Sequence, residues 1–253
     1  MIMESLLYLV TGASSGIGFQ IASDLLEQGH RVIGVSRSPS TKIEKLINLY
    51  PDRFFYDSLD LTQDINGLPK WVMELSKNFG RFSGFVHSAG MQQILPLKMN
   101  SYAHMLQVFN LNLFAALALA RGVSDKRVMS ENGGAIVFLS SISAKIGQSG
   151  LVNYSASKAA LNGAMRSMAK ELSQRKIRVN SVLPGFVMTE MIDKWKDVYN
   201  SHYIEKMKQS CPLGIGDPKD VSNMVVYLLG ERARWVTGCE FNINGGMTLG
   251  SQE

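Results

Sequence analysis

Tyr154 and Lys158 stand four residues apart in the segment Tyr-Ser-Ala-Ser-Lys, and Ser141 precedes the tyrosine by thirteen residues. Residues four apart on a helix share a face, so the phenol and the ammonium would project into the same space. A free tyrosine has a pKa near 10 and is a sluggish proton donor or acceptor at neutral pH. An ammonium beside it favours the phenolate and brings that pKa closer to the task. Ser141, at the end of an apolar run, can donate a hydrogen bond to a substrate oxygen. The chemistry such a group supports is delivery of a proton to a carbonyl oxygen.

A second constellation opens the chain. Thr11-Gly-Ala-Ser-Ser-Gly-Ile-Gly18 follows a short apolar run and precedes a helical pattern. Glycine allows positive φ and close approach of backbone to a ligand, and the amides and dipole at a helix start favour a pyrophosphate. A glycine pattern alone is weak, because turns use glycine anyway. Its place after a strand and before a helix makes Gly12, Gly16 and Gly18 a nucleotide-site expectation. The second predicted strand ends in Ser36-Arg37, where a carboxylate would bind a ribose 2′-hydroxyl. The guanidinium of Arg37 can instead pair with a phosphate, so NADP is preferred to NAD. The plainer alternative is that Arg37 is one solvated cation among many.

Positioning these groups requires a frame. Apolar runs suited to strands fall at residues 6–10, 31–36, 54–56, 84–87, 135–140, 177–183 and 240–243. Helical patterns lie between them at about 16–28, 65–79, 102–129, 154–174 and 221–229. Residues 37–53 read as a polar stretch. Such alternation predicts an α/β, Rossmann-like, doubly wound parallel sheet of about seven strands with helices on both faces. Ligands then bind at the carboxyl ends of the strands. No linker, repeat or low-complexity tract divides residues 1–253, which reads as one domain. The polar and aromatic segment 189–210 reads as a lid over the site in preference to a plain surface helix pair.

Composition narrows the classes. Hydrophobic residues make up 45% of the 253 and charged residues 19%, which suits a packed core and argues against disorder. The net charge of +5 suits an anionic cofactor or acidic carrier without specifying either. No basic block with interleaved aromatics appears, so nucleic acid is not an expected partner. Cys211, Cys239 and the four scattered histidines lack metal-ligand spacing, so no metal site is expected. The two cysteines are read as reduced, packed thiols. With no basic leader and no run judged long enough to span a bilayer, a cytoplasmic protein off the membrane is expected.

With these residues in hand, the chain resembles the short-chain dehydrogenase/reductase family over essentially its whole length, and among its members the 3-oxoacyl-carrier reductases. The matches are ordered: the glycine turn, Asp60-Leu61, Ser88-Ala-Gly90, Asn112-Leu113, Ser141, Tyr154 to Lys158, Pro184-Gly185 with Thr189, and Asn244-Gly-Gly246. The resemblance implies a catalytic set of Asn112, Ser141, Tyr154 and Lys158. It also implies that Lys158 reaches the nicotinamide ribose and that Asn112 holds a water linking Lys158 to solvent. Cofactor contacts are implied for Gly12, Ser14, Ser15, Gly16, Ile17, Gly18, Ser36, Arg37, Asp60, Leu61, Ala89, Gly90, Tyr154, Lys158, Pro184, Gly185, Val187 and Thr189. A homotetramer follows from the same likeness, the helices of 102–129 and 154–174 forming a dimer contact and the C-terminal segment helping to build the tetramer.

Two features depart from the family pattern. His87-Ser88 stands where the family has asparagine, so His87 or Ser88 must supply the bonding that braces the sheet. The segment 212–218 is one residue short. For the substrate, family position makes Gln92, Ile142, Gln148, Phe186, Met191 and Trp195 pocket lining, which suits a chain-bearing or hydrophobic carbonyl. Arg175 matches a carrier-binding basic position, whereas Asn132 stands at the other. Three readings remain: an NADPH-dependent carbonyl reductase, with 3-oxoacyl thioesters as a candidate substrate; an NAD-dependent dehydrogenase of secondary alcohols such as sugars or steroids; and a non-catalytic cofactor-sensing protein. The intact tyrosine argues against the last.

Overall fold

The computed structural model describes residues 5–190 and 201–249. Seven strands form one parallel sheet: β1 Leu7–Thr11, β2 Arg31–Ser36, β3 Phe54–Ser58, β4 Gly84–His87, β5 Gly134–Leu139, β6 Ile177–Pro184 and β7 Glu240–Ile243. Their order is β3-β2-β1-β4-β5-β6-β7. Direction reverses between β1 and β4, which makes the carboxyl ends of these two strands a topological switch point. Strands buried on both faces should read as continuous apolar runs. β1 is buried throughout, as is β4, and β5 is buried from Ala135 to Leu139.

Helices cover both faces. On one side α1 Gly16–Glu27 and α8 Pro218–Leu229 pack together, with α2 Thr41–Leu49 beyond. On the other lie α3 Leu68–Phe79, the pair α4 Tyr102–Phe109 and α5 Ala115–Val123, and the long α6 Val152–Leu172. A further helix, α7 Ser201–Ser210, precedes α8. Two cores result. Phe82, Phe85, Phe138, Leu119 and Met165 belong to the first, and Tyr8, Ile21, Leu25, Val86 and Val225 to the second.

Four expectations need correction. The stretch 37–53 contains α2, whose buried side chains are only Ile43 and Leu46, with Ser40 capping its start. Too few apolar residues reveal a helix that short. The helix expected over 102–129 ends at Val123, and Asn110–Phe114 within it is a π turn. The span Tyr102–Val123 has the length and hydropathy (1.4) to cross a membrane, contrary to expectation. In this fold it buries Val108 and sends Leu113, Ala116, Leu119 and Ala120 into the core. Last, Cys211 is buried but Cys239 is exposed, so only the first is a packed thiol.

Candidate active site

The turn between β1 and α1 is closed by glycine. Gly12 and Gly16 have φ of 68° and 53°, a region L side chains avoid. A Cβ at Gly18 would lie 2.3 Å from the Gly12 carbonyl oxygen, and one at Gly12 would lie 2.8 Å from the Ala89 nitrogen. The turn therefore folds tightly against the end of β4. The residues fit a dinucleotide by this cradle.

A cavity of about 590 Å³ opens at the carboxyl edge of the sheet. Its wall includes Gly12, Ser14, Ser15, Gly16, Ile17 and Gly18 from the turn, Ser36 at the end of β2 and Arg37 just after it. Leu61, Ala89, Gly90, Ser141, Tyr154, Lys158, Pro184, Gly185, Val187 and Thr189 complete the candidates on it. Two candidates lie off this wall. Asp60 turns its carboxylate onto Thr62, accepting from its nitrogen at 2.9 Å and its hydroxyl at 2.7 Å. These bonds hold its pKa down and make it a turn former behind Leu61. Asn112 is wholly buried. A larger cavity, about 1540 Å³, lies at the amino edge of the sheet and contains none of the candidates.

Lys158 is buried, and its Nζ donates to the Leu139 carbonyl at 2.7 Å. It sits 5.8 Å from the centre of the Tyr154 ring. Burial pushes its pKa down to about 8. Ser140 Oγ donates to the Lys158 carbonyl at 3.1 Å, which ties α6 to the end of β5. Gly90 makes room, since a Cβ there would stand 3.3 Å from Nζ. Asn112 sits in the π turn and clamps Met91, accepting from its nitrogen at 2.8 Å and donating to its oxygen at 3.0 Å. Its second N–H goes to Ser157 Oγ at 3.0 Å. Both amide protons are spent on protein, so the expected water contact cannot use them.

The departure at β4 is resolved by His87. Its ring is fully buried, with Nδ1 3.1 Å from Thr11 Oγ1 and Nε2 3.1 Å from the Leu111 oxygen. A carbonyl only accepts, so Nε2 carries the proton and Nδ1 accepts from the Thr11 hydroxyl. Thr11 Oγ1 in turn accepts from the Ala89 nitrogen at 3.1 Å. Burial, then the charge of Lys158, push the His87 pKa down to about 3, so the ring stays neutral. One side chain thus links the glycine turn, the β4 end and the turn holding Asn112.

Other residues emerged only in three dimensions. Glu190 Oε2 accepts from the Gly16 nitrogen at 2.9 Å, and Oε1 meets Lys42 Nζ at 2.5 Å. The carboxylate thus sits on an amide at the start of α1, where a pyrophosphate is expected. Burial is the largest single influence and raises the Glu190 pKa, but the Lys42 contact and the backbone amides, that of Gly16 among them, together lower it. Tyr56 OH lies 2.9 Å from Ser36 Oγ, beside the expected ribose end. Tyr203 of α7 lines the cavity with its ring 6.0 Å from that of Phe186. Gln92, Ile142 and Gln148 line it too. Met191, Trp195 and the lid residues 191–200 lie outside the described residues. The short segment 212–218 is anchored by Gly216 N to the Phe186 oxygen at 3.1 Å and Met188 N to the Gly216 oxygen at 3.0 Å. Arg175 lies at the amino edge, its guanidinium donating to the Ser124 carbonyl, away from the mouth of the cavity.

Comparison with known proteins agrees with this geometry. A family model described as enoyl-(acyl carrier protein) reductase matches residues 12–248. The 3-oxoacyl-acyl-carrier-protein reductase of Rickettsia felis is 34% identical over 243 residues, covering 95% of this chain and 96% of that protein. A short-chain dehydrogenase/reductase from Mycobacterium ulcerans superposes with a TM-score of 0.90 at 28% identity, covering 99% of this chain and 92% of the other. A 4-hydroxyisoleucine dehydrogenase complexed with NADH gives 0.88 at 28% identity, covering 98% of this chain and all of its own. The chain belongs to the short-chain dehydrogenase/reductase family, with similarity to 3-oxoacyl-carrier reductases. It is an NAD(P)-dependent oxidoreductase acting on alcohol or carbonyl groups.

Proposed function

We propose that the protein is an NADPH-dependent carbonyl reductase forming a secondary alcohol, with 3-oxoacyl thioesters as its substrate class. The observation that carries this reading is the convergence of Ser141, Tyr154, Lys158 and the glycine turn on one cavity at the switch point. The nicotinamide cofactor, when bound, supplies hydride to the carbonyl carbon. Tyr154 gives its phenolic proton to the developing alkoxide, a step worth on the order of a hundred- to ten-thousand-fold. Lys158 as ammonium favours the phenolate left behind. Ser141 donates to the same substrate oxygen, and Asn112 holds the Met91 backbone beside Lys158.

The preference for NADP rests on Arg37 at the cavity wall with Ser36, Ser38 and no carboxylate at the end of β2. The hydroxyl pair of Ser36 and Tyr56 also suits a bare ribose hydroxyl, which keeps an NAD-dependent secondary-alcohol dehydrogenase as the second reading. The chain acts as one catalytic unit in the cytoplasm and assembles as a homotetramer. Tyr102, Met105 and Phe114, exposed on the α4–α5 helix, supply apolar contact surface. The placement of Arg175 gives no support to a carrier docking at the mouth of its own subunit's cavity.

The deciding experiment scores a panel of carbonyl compounds, including acetoacetyl thioesters and diketones, by NADPH and NADH loss. Tyr154→Phe should bind nucleotide and turn over nothing. Undiminished turnover by that variant would end the proposal.

A further inference from the structure

The 3₁₀ turn after β5 holds three polar side chains in a directed chain. Ser143 N donates to Ser141 Oγ at 3.1 Å, and Ser141 Oγ donates to Ser143 Oγ at 3.2 Å. Ser143 Oγ donates to Gln148 Oε1 at 2.7 Å. A hydroxyl has one proton. Ser143 spends its one proton on Gln148, whose Oε1 is thereby the acceptor; when Ser141 turns its own proton to the substrate oxygen, Ser143 N still donates to Ser141 Oγ and the Ser143–Gln148 bond is unchanged. The other end of that carboxamide, Nε2, has two protons and accepts nothing. Ser141 and Ser143 are both buried, and the turn is pinned by Ala144 N to the Ser141 oxygen at 3.0 Å and Lys145 N to the Ile142 oxygen at 2.8 Å. The order therefore does not rest on loose surface groups. Gln148 lines the same cavity as Ser141 and Tyr154.

We propose that Gln148 is a specificity-determining residue whose Nε2 donates to a second acceptor oxygen of the substrate, one methylene away from the reacting carbonyl. Two consecutive hydrogen bonds separate the oxygen of Ser141 from the amide of Gln148. A 1,3-dicarbonyl compound offers one oxygen for Ser141 and a second acceptor for the amide of Gln148, both on the wall of the same cavity. The site thus selects 3-oxo thioesters, 3-oxo esters and 1,3-diketones over simple ketones. Ser143 is the positioning residue, since it decides which end of the amide faces the substrate. A site with a committed donor discriminates against an analogue lacking the acceptor, because the donor then loses its partner. This inference rests on the carbonyl-reductase reading above.

The test compares S-acetoacetyl-N-acetylcysteamine with 2-octanone as substrates, with either reduced nucleotide in excess. Wild-type protein, Gln148→Glu and Ser143→Ala are assayed alongside melting curves that verify folding. A carboxylate at 148 keeps the shape but offers acceptors only. The expected result is a fall in kcat/KM of about ten-fold or more for the dicarbonyl in Gln148→Glu, with a much smaller fall for the monoketone. Ser143→Ala, which lets the amide turn, should lose part of the preference. Equal losses on both substrates, or an unchanged preference, would overturn the inference. Wild-type protein that reduces 2-octanone but does not favour the dicarbonyl overturns it while leaving the reductase reading intact. Failure to reduce any carbonyl with either nucleotide overturns that reading and this inference with it.

Discussion

Lys158 should make the protein less stable than it could be, by an amount that depends on pH. Its folded pKa of about 8 lies below the ordinary 10.5 because burial penalises the ammonium. Each pKa unit corresponds to about 1.4 kcal/mol, so holding the charged form in the folded protein costs on the order of 3 kcal/mol at pH 7. Lys158→Met removes that cost and keeps an apolar stem of similar length. It also leaves the Leu139 carbonyl without its donor, a loss of about 1–3 kcal/mol. The net expectation is a variant about 1–2 kcal/mol more stable at pH 7, or several degrees in Tm for a chain of this size. Between pH 8 and 10.5 the unfolded chain binds the lysine proton more tightly than the native one. Wild-type stability therefore rises with pH relative to the variant across that window. Above it the order reverses, because only the lost hydrogen bond remains. Turnover should fall by two or more orders of magnitude at every pH. Urea titrations of both proteins from pH 6 to 11 measure the difference directly. A variant less stable at pH 7 by an amount that does not change with pH would refute this reasoning.

His87→Ala should lose about 2–4 kcal/mol, since a fully buried ring is removed, the Thr11 hydroxyl loses its acceptor and the Leu111 carbonyl loses its imidazole donor; His87→Asn should recover part of it in the same denaturation assay. Arg37→Glu should raise the KM for NADPH about ten-fold or more while changing that for NADH far less, and parallel shifts for both nucleotides would remove Arg37 from cofactor choice. Glu190→Gln takes a negative charge off the Gly16 amide, so nucleotide titrations should show several-fold tighter binding, the gain shrinking in high salt; weaker binding would mean that the carboxylate only braces the turn.

The parts legible in the sequence are those whose physics is local. The glycine turn is set by φ angles that only glycine takes freely, and the Tyr154–Lys158 pair by one turn of helix. Strands such as 31–36 and 84–87 coincide with the structure because continuous apolar runs buried on both faces have few other solutions. What could not be read is set by contacts distant in the chain. Helix α2 has two buried side chains, and its start depends on Ser40, whose hydroxyl also donates to the Ser14 carbonyl at 2.8 Å. The π turn at 110–114 passes unnoticed because apolar residues continue through it. Glu190 reaches a glycine 174 residues away, and no spacing rule connects the two.

His87 shows how such a departure is absorbed. An imidazole is larger than the family's carboxamide, yet both present one donor and one acceptor on opposite sides. The requirement at this position is directional: one group must accept from the hydroxyl of Thr11 and another must donate to a carbonyl. Neutral histidine meets both, provided it never gains a second proton. Its burial and the nearby ammonium of Lys158 ensure this, each acting against the cation. The same burial that makes Lys158 costly therefore keeps its neighbour neutral, while the Leu111 carbonyl and Thr11 hydroxyl set the tautomer. A histidine exposed at this edge would titrate near neutral pH, and its protonated Nδ1 would no longer accept from the Thr11 hydroxyl. Burial is the larger influence and the lysine the second, so a variant lacking Lys158 should let the His87 pKa rise without charging the ring at neutral pH.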